Sequence, residues 1–156
     1  MAAIRVLLVD QEAILRAELC ATLAQEPGIT VLAETPDFGT ALALAQITKP
    51  DVIVIAMADP SCAEIVRSIR SISCLIRVVG VPARTDRACL LQALEAGVHG
   101  VLLPSASTRT LIDAVRAVHA GGVFISGEAY APLLQSYLGQ PGAKTSVTLP
   151  GRLSKS

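Results

Sequence analysis

Five short apolar runs, each separated from the next by a stretch with helical periodicity, constrain the fold of this chain most strongly. Each run is rich in Val, Ile or Leu and shows little alternation of polar and apolar residues. Strands that are buried on both faces of a parallel sheet have this character. The runs are Ile4–Val9, Ile29–Leu32, Val52–Ala56, Ile76–Val81 and Gly100–Leu103.

The stretches between these runs carry the apolar stripes and boundary residues of helices. Leu15, Leu19 and Leu23 recur at every fourth position. Ser107 is a candidate N-cap residue for the last stripe, and Gly97 is a candidate C-cap residue for the stripe before it. Five strands that are each followed by a helix predict an α/β fold, a right-handed (βα)5 doubly wound parallel sheet. In such a sheet, functional side chains gather where the strands end.

The length and the local composition divide the chain. A chain of 156 residues fits one domain with a short tail. We assign 1–122 to this domain and 123–138 to a C-terminal extension that contains a helix. Residues 139–156 are rich in Gly, Pro, Lys, Ser and Thr, so we expect a flexible linker or tail there.

Charge and cysteine usage narrow the class of protein. The chain has 13 Lys and Arg against 13 Asp and Glu, which leaves no electrostatic footprint for nucleic acid or for an anionic membrane. The first apolar run stops at Asp10, which is too short for a secretion signal or a membrane span, so we expect a cytoplasmic protein. The cysteines form no C-x-x-C pair and have no histidine at zinc-site spacing, so we interpret them as reduced small hydrophobes and expect no metal. They are Cys20, Cys62, Cys74 and Cys89.

Several segments, taken in order, resemble the receiver domain of response regulators. Ile4–Asp10 is similar to the opening of a receiver, and Lys49–Ile55 is similar to the approach to its phosphoacceptor. Leu94–Gly97 and Gly100–Leu103 are similar to its fourth helix and fifth strand. Ala114–Val123 is similar to the end of receivers in the NarL/FixJ, LuxR-type subclass. The resemblance covers roughly residues 3 to 135. It implies a CheY-like, flavodoxin-like fold and a regulatory rather than an enzymatic role.

The resemblance also implies five positions for phosphorylation. Members of the family use two acidic residues after the first strand to hold Mg²⁺, a nucleophilic Asp at the end of the third, a Thr or Ser after the fourth and a Lys after the fifth. Asp10 matches the first acidic position. The other four positions hold Gln11, Ala56, Pro82 and Pro104. A methyl group cannot attack phosphorus, and a proline offers neither a hydroxyl nor an ammonium, so this chain resembles a degenerate receiver that lacks the phosphoacceptor.

These replacements predict a site without chemistry. We expect no catalytic residue and no cofactor, and no useful binding of Mg²⁺ by Asp10 alone. Asp59, three residues after Ala56, is the alternative acceptor, but the losses at the other three positions oppose it independently. Ala56 removes a buried charge, so we predict a pocket that is packed shut. Val101 occupies the aromatic switch position of the family, and two prolines at strand ends predict a domain locked in one conformation.

The function that follows is regulation without phosphate. We expect a phosphorylation-independent receiver domain of a two-component-type transcriptional regulator, whose helix-turn-helix lies beyond residue 156 and makes all contacts with DNA. A homodimer is expected, and a regulatory protein or a small ligand is the expected signal. The alternative is a stand-alone protein-interaction adaptor that binds another protein through helix faces, among them the fifth helix and the stretch around Leu133–Leu138. A flavin or cobalamin carrier on the same fold is opposed by Asp10, Gln11 and Glu12, which repel phosphate and lack the His and Gly of cobalamin loops.

Overall fold

The molecule is a parallel sheet with helices on both faces, which confirms the predicted fold class. The computed structural model describes residues 2–58, 62–83 and 86–126. In chain order the elements are β1 (Ile4–Val9), α1 (Ala13–Gln25), β2 (Ile29–Thr35), α2 (Phe38–Thr48), β3 (Val52–Met57), α3 (Cys62–Ile72), β4 (Arg77–Pro82), α4 (Arg87–Ala96), β5 (Gly100–Val101), α5 (Thr108–His119) and β6 (Phe124–Ile125). The strand order is β2-β1-β3-β4-β5-β6, and every neighbouring pair is parallel.

The sixth strand extends the sheet past the five that the sequence predicts. In β6, Phe124 and Ile125 pair with Gly100 and Val101 of β5. These two residues fall in 123–138, the segment assigned to the C-terminal extension. A run this short carries no periodicity, which is why the sequence does not reveal it as a strand. The helix predicted within 123–138 and the linker predicted for 139–156 lie outside the described residues.

The core has two layers because side chains alternate between the two faces of each strand. In β1, Leu7 and Val9 enter the core under α2, α3 and α4. Val6 and Leu8 enter the core under α1 and α5. All four side chains are fully buried. Burial on both faces explains why the strands read as continuous apolar runs.

Local signals fix the ends of the helices that frame the sheet. Ser107 caps α5 by accepting a hydrogen bond from the Thr110 amide at 3.1 Å, as the sequence predicts. Gly97 ends α4 in the left-handed region at φ 111°, also as predicted, because glycine has no Cβ to oppose that backbone. α1 begins after Glu12 with no side-chain cap. The start of α1 therefore lacks the side-chain cap that fixes the start of α5.

Candidate functional site

The ends of β1, β3, β4 and β5 meet along one side of the sheet, which we call the carboxyl edge. Asp10 directly follows β1, and Ala56 is the second-last residue of β3. Pro82 is the last residue of β4, and Pro104 lies in the loop between β5 and α5. All strands are parallel, so the fold delivers these positions to the same edge.

Asp10 is held firmly but incompletely. Its side chain and backbone are only 7% exposed. Its amide donates to the Thr35 carbonyl at 3.1 Å, and its carbonyl accepts from Arg16 Nη1 at 2.8 Å. Oδ1 accepts from the Glu12 amide at 2.9 Å. Among the residues that the structure describes, Oδ2 receives no hydrogen bond, and because no buried side-chain oxygen there lacks a partner, this oxygen is open to the neighbouring space.

Arg16 does not neutralise this carboxylate. Its guanidinium is bonded to the backbone of Asp10, and its Nε forms an ion pair with Glu34 Oε1 at 3.1 Å. The hydrogen bond from the Cys20 thiol, followed by the hydrogen bond from Arg16, lowers the pKa of Glu34. The positive charge of Arg16 is thereby matched by Glu34, outside the predicted site.

The position of the family's nucleophile holds a methyl group. Ala56 is partly buried in β3, in register with Val81 of β4. The thiol of Cys62, which is fully buried, donates to the Ala56 carbonyl at 3.9 Å. Cys62 therefore packs beneath the strand and faces no open space. Asp59, the alternative acceptor, lies in the part of the chain that the structure does not describe.

The two prolines take different positions. Pro82 is buried and lies beside Met57 in the sheet, away from the open space at the carboxyl edge. Pro104 is exposed and faces that space. Val101 is fully buried within the sheet, between Gly80 and Ile125. The structure thus brings Asp10, Gln11, Ala56 and Pro104 around one space and leaves Pro82 out of it.

The expected closed pocket is wrong. A cavity of about 770 Å³ opens at the carboxyl edge, between α1 and the loop that leads into α5. Five alanines line it, from α1, from β3, from the loops after β3 and β4, and from the loop before α5, and small side chains at those points leave space unfilled. They are Ala21, Ala56, Ala58, Ala83 and Ala106. Ala56 is smaller than the Asp that the family has at this position, and the neighbouring side chains do not fill the space that this leaves.

One wall of this cavity was not predicted. Leu15, Glu18, Leu19 and Thr22 of α1 all line it. Their spacing of i, i+3, i+4 and i+7 places them on one face of a helix, so the sequence did contain the signal. Leucines at this spacing are more typical of core contacts, so the pattern did not predict that Glu18 and Thr22 line a cavity.

The cavity is largely apolar, and the charged residues of its described lining are all acidic. They are Asp10, Glu12 and Glu18, and this described lining includes no Lys, Arg or His. Over the ranges that the structure describes, no group of three or more His, Cys, Asp or Glu side chains could hold a metal ion. None of the described helices is long and apolar enough to cross a membrane.

Comparisons with known proteins agree with this architecture. The family model described as "Response regulator receiver domain" matches residues 6–116. The transcriptional regulatory protein LnrK of Bacillus subtilis (strain 168) is 27% identical over 136 residues, which cover 86% of this chain and 62% of LnrK. The DNA-binding transcriptional activator DevR/DosR of Mycobacterium tuberculosis is 26% identical over 142 residues, which cover 87% of this chain and 64% of that protein. The chain therefore spans less than two thirds of these relatives.

A solved structure extends the likeness to three dimensions. The crystal structure of a LuxR-family two-component response regulator from Aurantimonas sp. SI85-9A1 superposes with a TM-score of 0.81 at 28% identity. The superposition covers 88% of this chain and 99% of that one. The likeness therefore extends over nearly the whole of the solved chain.

Proposed function

The chain belongs to the response regulator receiver family, and from this premise we propose that it is a phosphorylation-independent regulatory receiver domain. That it is a receiver domain of the LuxR type follows from its relatives. The proposal is that the domain regulates without being phosphorylated, and one observation carries it. The carboxyl edge presents the methyl group of Ala56 where the family needs a carboxylate nucleophile.

The surroundings of Ala56 support the proposal. Phosphoryl transfer needs a nucleophile in line with phosphorus, together with cations that neutralise the transferred oxygens. Mg²⁺ in such sites is held by carboxylates and by oxygen ligands in near-octahedral geometry. Here Asp10 is the one buried acid of the described lining, and none of the described lining residues is basic. A bound phosphoryl group would meet acidic oxygens without a compensating cation.

The proposed output is control of transcription by a DNA-binding domain beyond residue 156. The relatives are transcriptional regulators, and more than a third of LnrK has no counterpart in this chain. The balanced charge of these 156 residues gives them no attraction for DNA. We therefore assign all DNA contacts to that further domain. We also propose a cytoplasmic homodimer without enzymatic activity, controlled by a regulatory protein or a small ligand.

The experiment is phosphorylation with a small phosphodonor, read by intact mass. The chain is incubated with acetyl phosphate and Mg²⁺, beside the single variant Ala56→Asp. We expect no mass gain in either, because Gln11 and Pro104 remain in the variant. A variant that combines Ala56→Asp with Gln11→Asp, Pro82→Thr and Pro104→Lys is the positive control. A stoichiometric mass gain in the unmodified chain would contradict the proposal.

The adaptor alternative gains no support from the described residues. It was predicted to use the fifth helix, but the apolar stripe of α5 packs into the sheet, where Leu111, Ala114 and Val115 are buried. The second predicted surface, Leu133–Leu138, lies beyond the last described residue. A native protein whose mass equals that of these 156 residues would favour the adaptor over the transcriptional regulator.

A further inference from the structure

The cavity at the carboxyl edge has the size and walls of a small-molecule site. Ligand sites span roughly 300–1,000 Å³ and are lined mainly by apolar side chains with a few placed polar groups. This cavity has about 770 Å³. Strand residues contribute Leu8 and Val54, and the helices contribute Leu19 and Leu111. It also lies at the carboxyl ends of parallel strands, where doubly wound sheets place their ligands.

The charge of the cavity selects the class of ligand. The lining includes the acidic residues Asp10, Glu12 and Glu18, and none of the residues described there is basic. Arg16 is committed to Glu34 and to the Asp10 carbonyl. Asp10 Oδ1 accepts from the Glu12 amide, whereas Oδ2 has no hydrogen bond among the described residues and is open to the cavity. A ligand that supplies a cationic donor can form a charge-assisted hydrogen bond to this oxygen.

We propose that this cavity binds an organic cation, a mainly apolar small molecule that carries an ammonium group. The apolar body occupies the space between α1 and the start of α5, against Leu19 and Leu111. The ammonium donates a hydrogen bond to Asp10 Oδ2. Glu12 and Glu18 add a favourable potential. The inference rests on the proposed function, because the ligand takes the place that a phosphoryl group would need.

The test uses three probes that share a naphthyl body and differ in charge. They are naphthylmethylamine, naphthylmethanol and naphthoic acid, titrated into the 156-residue chain by calorimetry and followed by amide NMR. We expect the amine to bind about tenfold more tightly than the alcohol, the effect of one charge-assisted hydrogen bond. The acid should bind least. The amide shifts should centre on Asp10, Glu12 and Ala56.

Matched variants locate the charge. Asp10→Asn keeps an oxygen that accepts from the Glu12 amide, and we expect it to remove the preference for the amine while leaving the alcohol unaffected. Glu18→Gln is a second variant, on an exposed helix position that is safe for folding, and it should lower amine affinity by a smaller factor. Glu95→Gln on α4 removes an exposed carboxylate outside the cavity and should change nothing.

Several outcomes would overturn the inference. Equal affinities for the three probes, no binding by any probe, or amide shifts remote from Asp10 would each do so. The same shifts produced by Mg²⁺ alone would identify a metal site in place of an organic-cation site. These results are separable from failure of the proposed function, because phosphorylation by acetyl phosphate is measured without any probe. If the chain accepts no phosphoryl group and binds no probe, the proposed function stands and the ligand inference is overturned.

Discussion

The two edges of the sheet are built for different purposes. At the opposite side from the carboxyl edge, which we call the amino edge, polar groups close the structure. Arg5 donates its guanidinium to the Lys49 carbonyl at 2.8 Å and its amide to Asp51 Oδ2 at 2.9 Å. Arg116 Nη2 bonds Glu26 Oε2 at 2.7 Å and ties α5 to the end of α1. The carboxyl edge instead holds an open cavity, which Asp10 lines.

The same contrast runs along α1, from its start at the carboxyl edge to its end at the amino edge. Leu15 is 46% exposed, Leu19 is half-buried and Leu23 is fully buried. Ile14, beside Leu15, is 76% exposed. One regular stripe thus changes from exposed to core within two helical turns. This gradient indicates that the packing of α1 against the core is tighter at the amino edge than at the carboxyl edge.

The largest effect is expected at the buried end of α1. Leu23→Ala should lower the free energy of unfolding by about 3 kcal/mol, because it leaves a cavity in the core under α1 and α5. Urea unfolding followed by circular dichroism measures this loss. A loss below about 1 kcal/mol would mean that the amino edge is not the well-packed part of the molecule.

A smaller effect is expected from protonation of His99 at the amino edge. Its Nδ1 accepts from the Val78 amide at 3.0 Å. Burial, and then the positive charges of Arg70 and Arg77, lower the pKa of His99 from 6.5 to about 4. A group whose pKa is depressed on folding stabilises the fold above its unfolded pKa. That stability is lost as the pH falls from 6.5 towards 4, by about 1–2 kcal/mol after allowing for partial exposure.

The matched control isolates His99 from the carboxylates that titrate in the same range. His99→Asn places Oδ1 near the position of Nδ1, so it keeps an acceptor for the Val78 amide but does not titrate. Unfolding is measured in urea across the window for both proteins. The unmodified chain should lose more stability than the variant. Parallel pH profiles for the two proteins would show that His99 contributes nothing to acid sensitivity.

The sequence predicted the sheet well because its signals are local and redundant. Continuous apolar runs such as Val6–Val9 have no alternative to burial on both faces, and Ser107 and Gly97 are short-range boundary signals. The sequence did not predict β6, because a two-residue strand is defined by its pairing with β5 and not by its own sequence. The order of the site positions around the carboxyl edge followed from the parallel topology alone.

The cavity could not be predicted from the sequence for a different reason. The absence of a charged side chain at Ala56 predicts a closed pocket, but whether the space closes depends on neighbours distant in sequence. Ala83 and Ala106 reach the same space from two other loops, and neither residue marks itself as a wall. The orientation of Pro82 away from the space is likewise a property of the β3–β4 register, where it lies beside Met57.

The smallest effect on stability is expected at the exposed end of α1. Leu15→Ala repeats the chemical change of Leu23→Ala in the same helix, so helix propensity cancels between the two variants and burial alone differs. Leu15 is 46% exposed and lies on the rim of the cavity, so we expect a loss of about 0.5 kcal/mol or less. The same variant should weaken binding of the naphthyl probes, because it removes apolar wall from the cavity. If Leu15→Ala costs as much stability as Leu23→Ala, both edges are packed for stability and the division between them fails. If it costs little stability and leaves probe binding unchanged, the rim of α1 is not part of the ligand site.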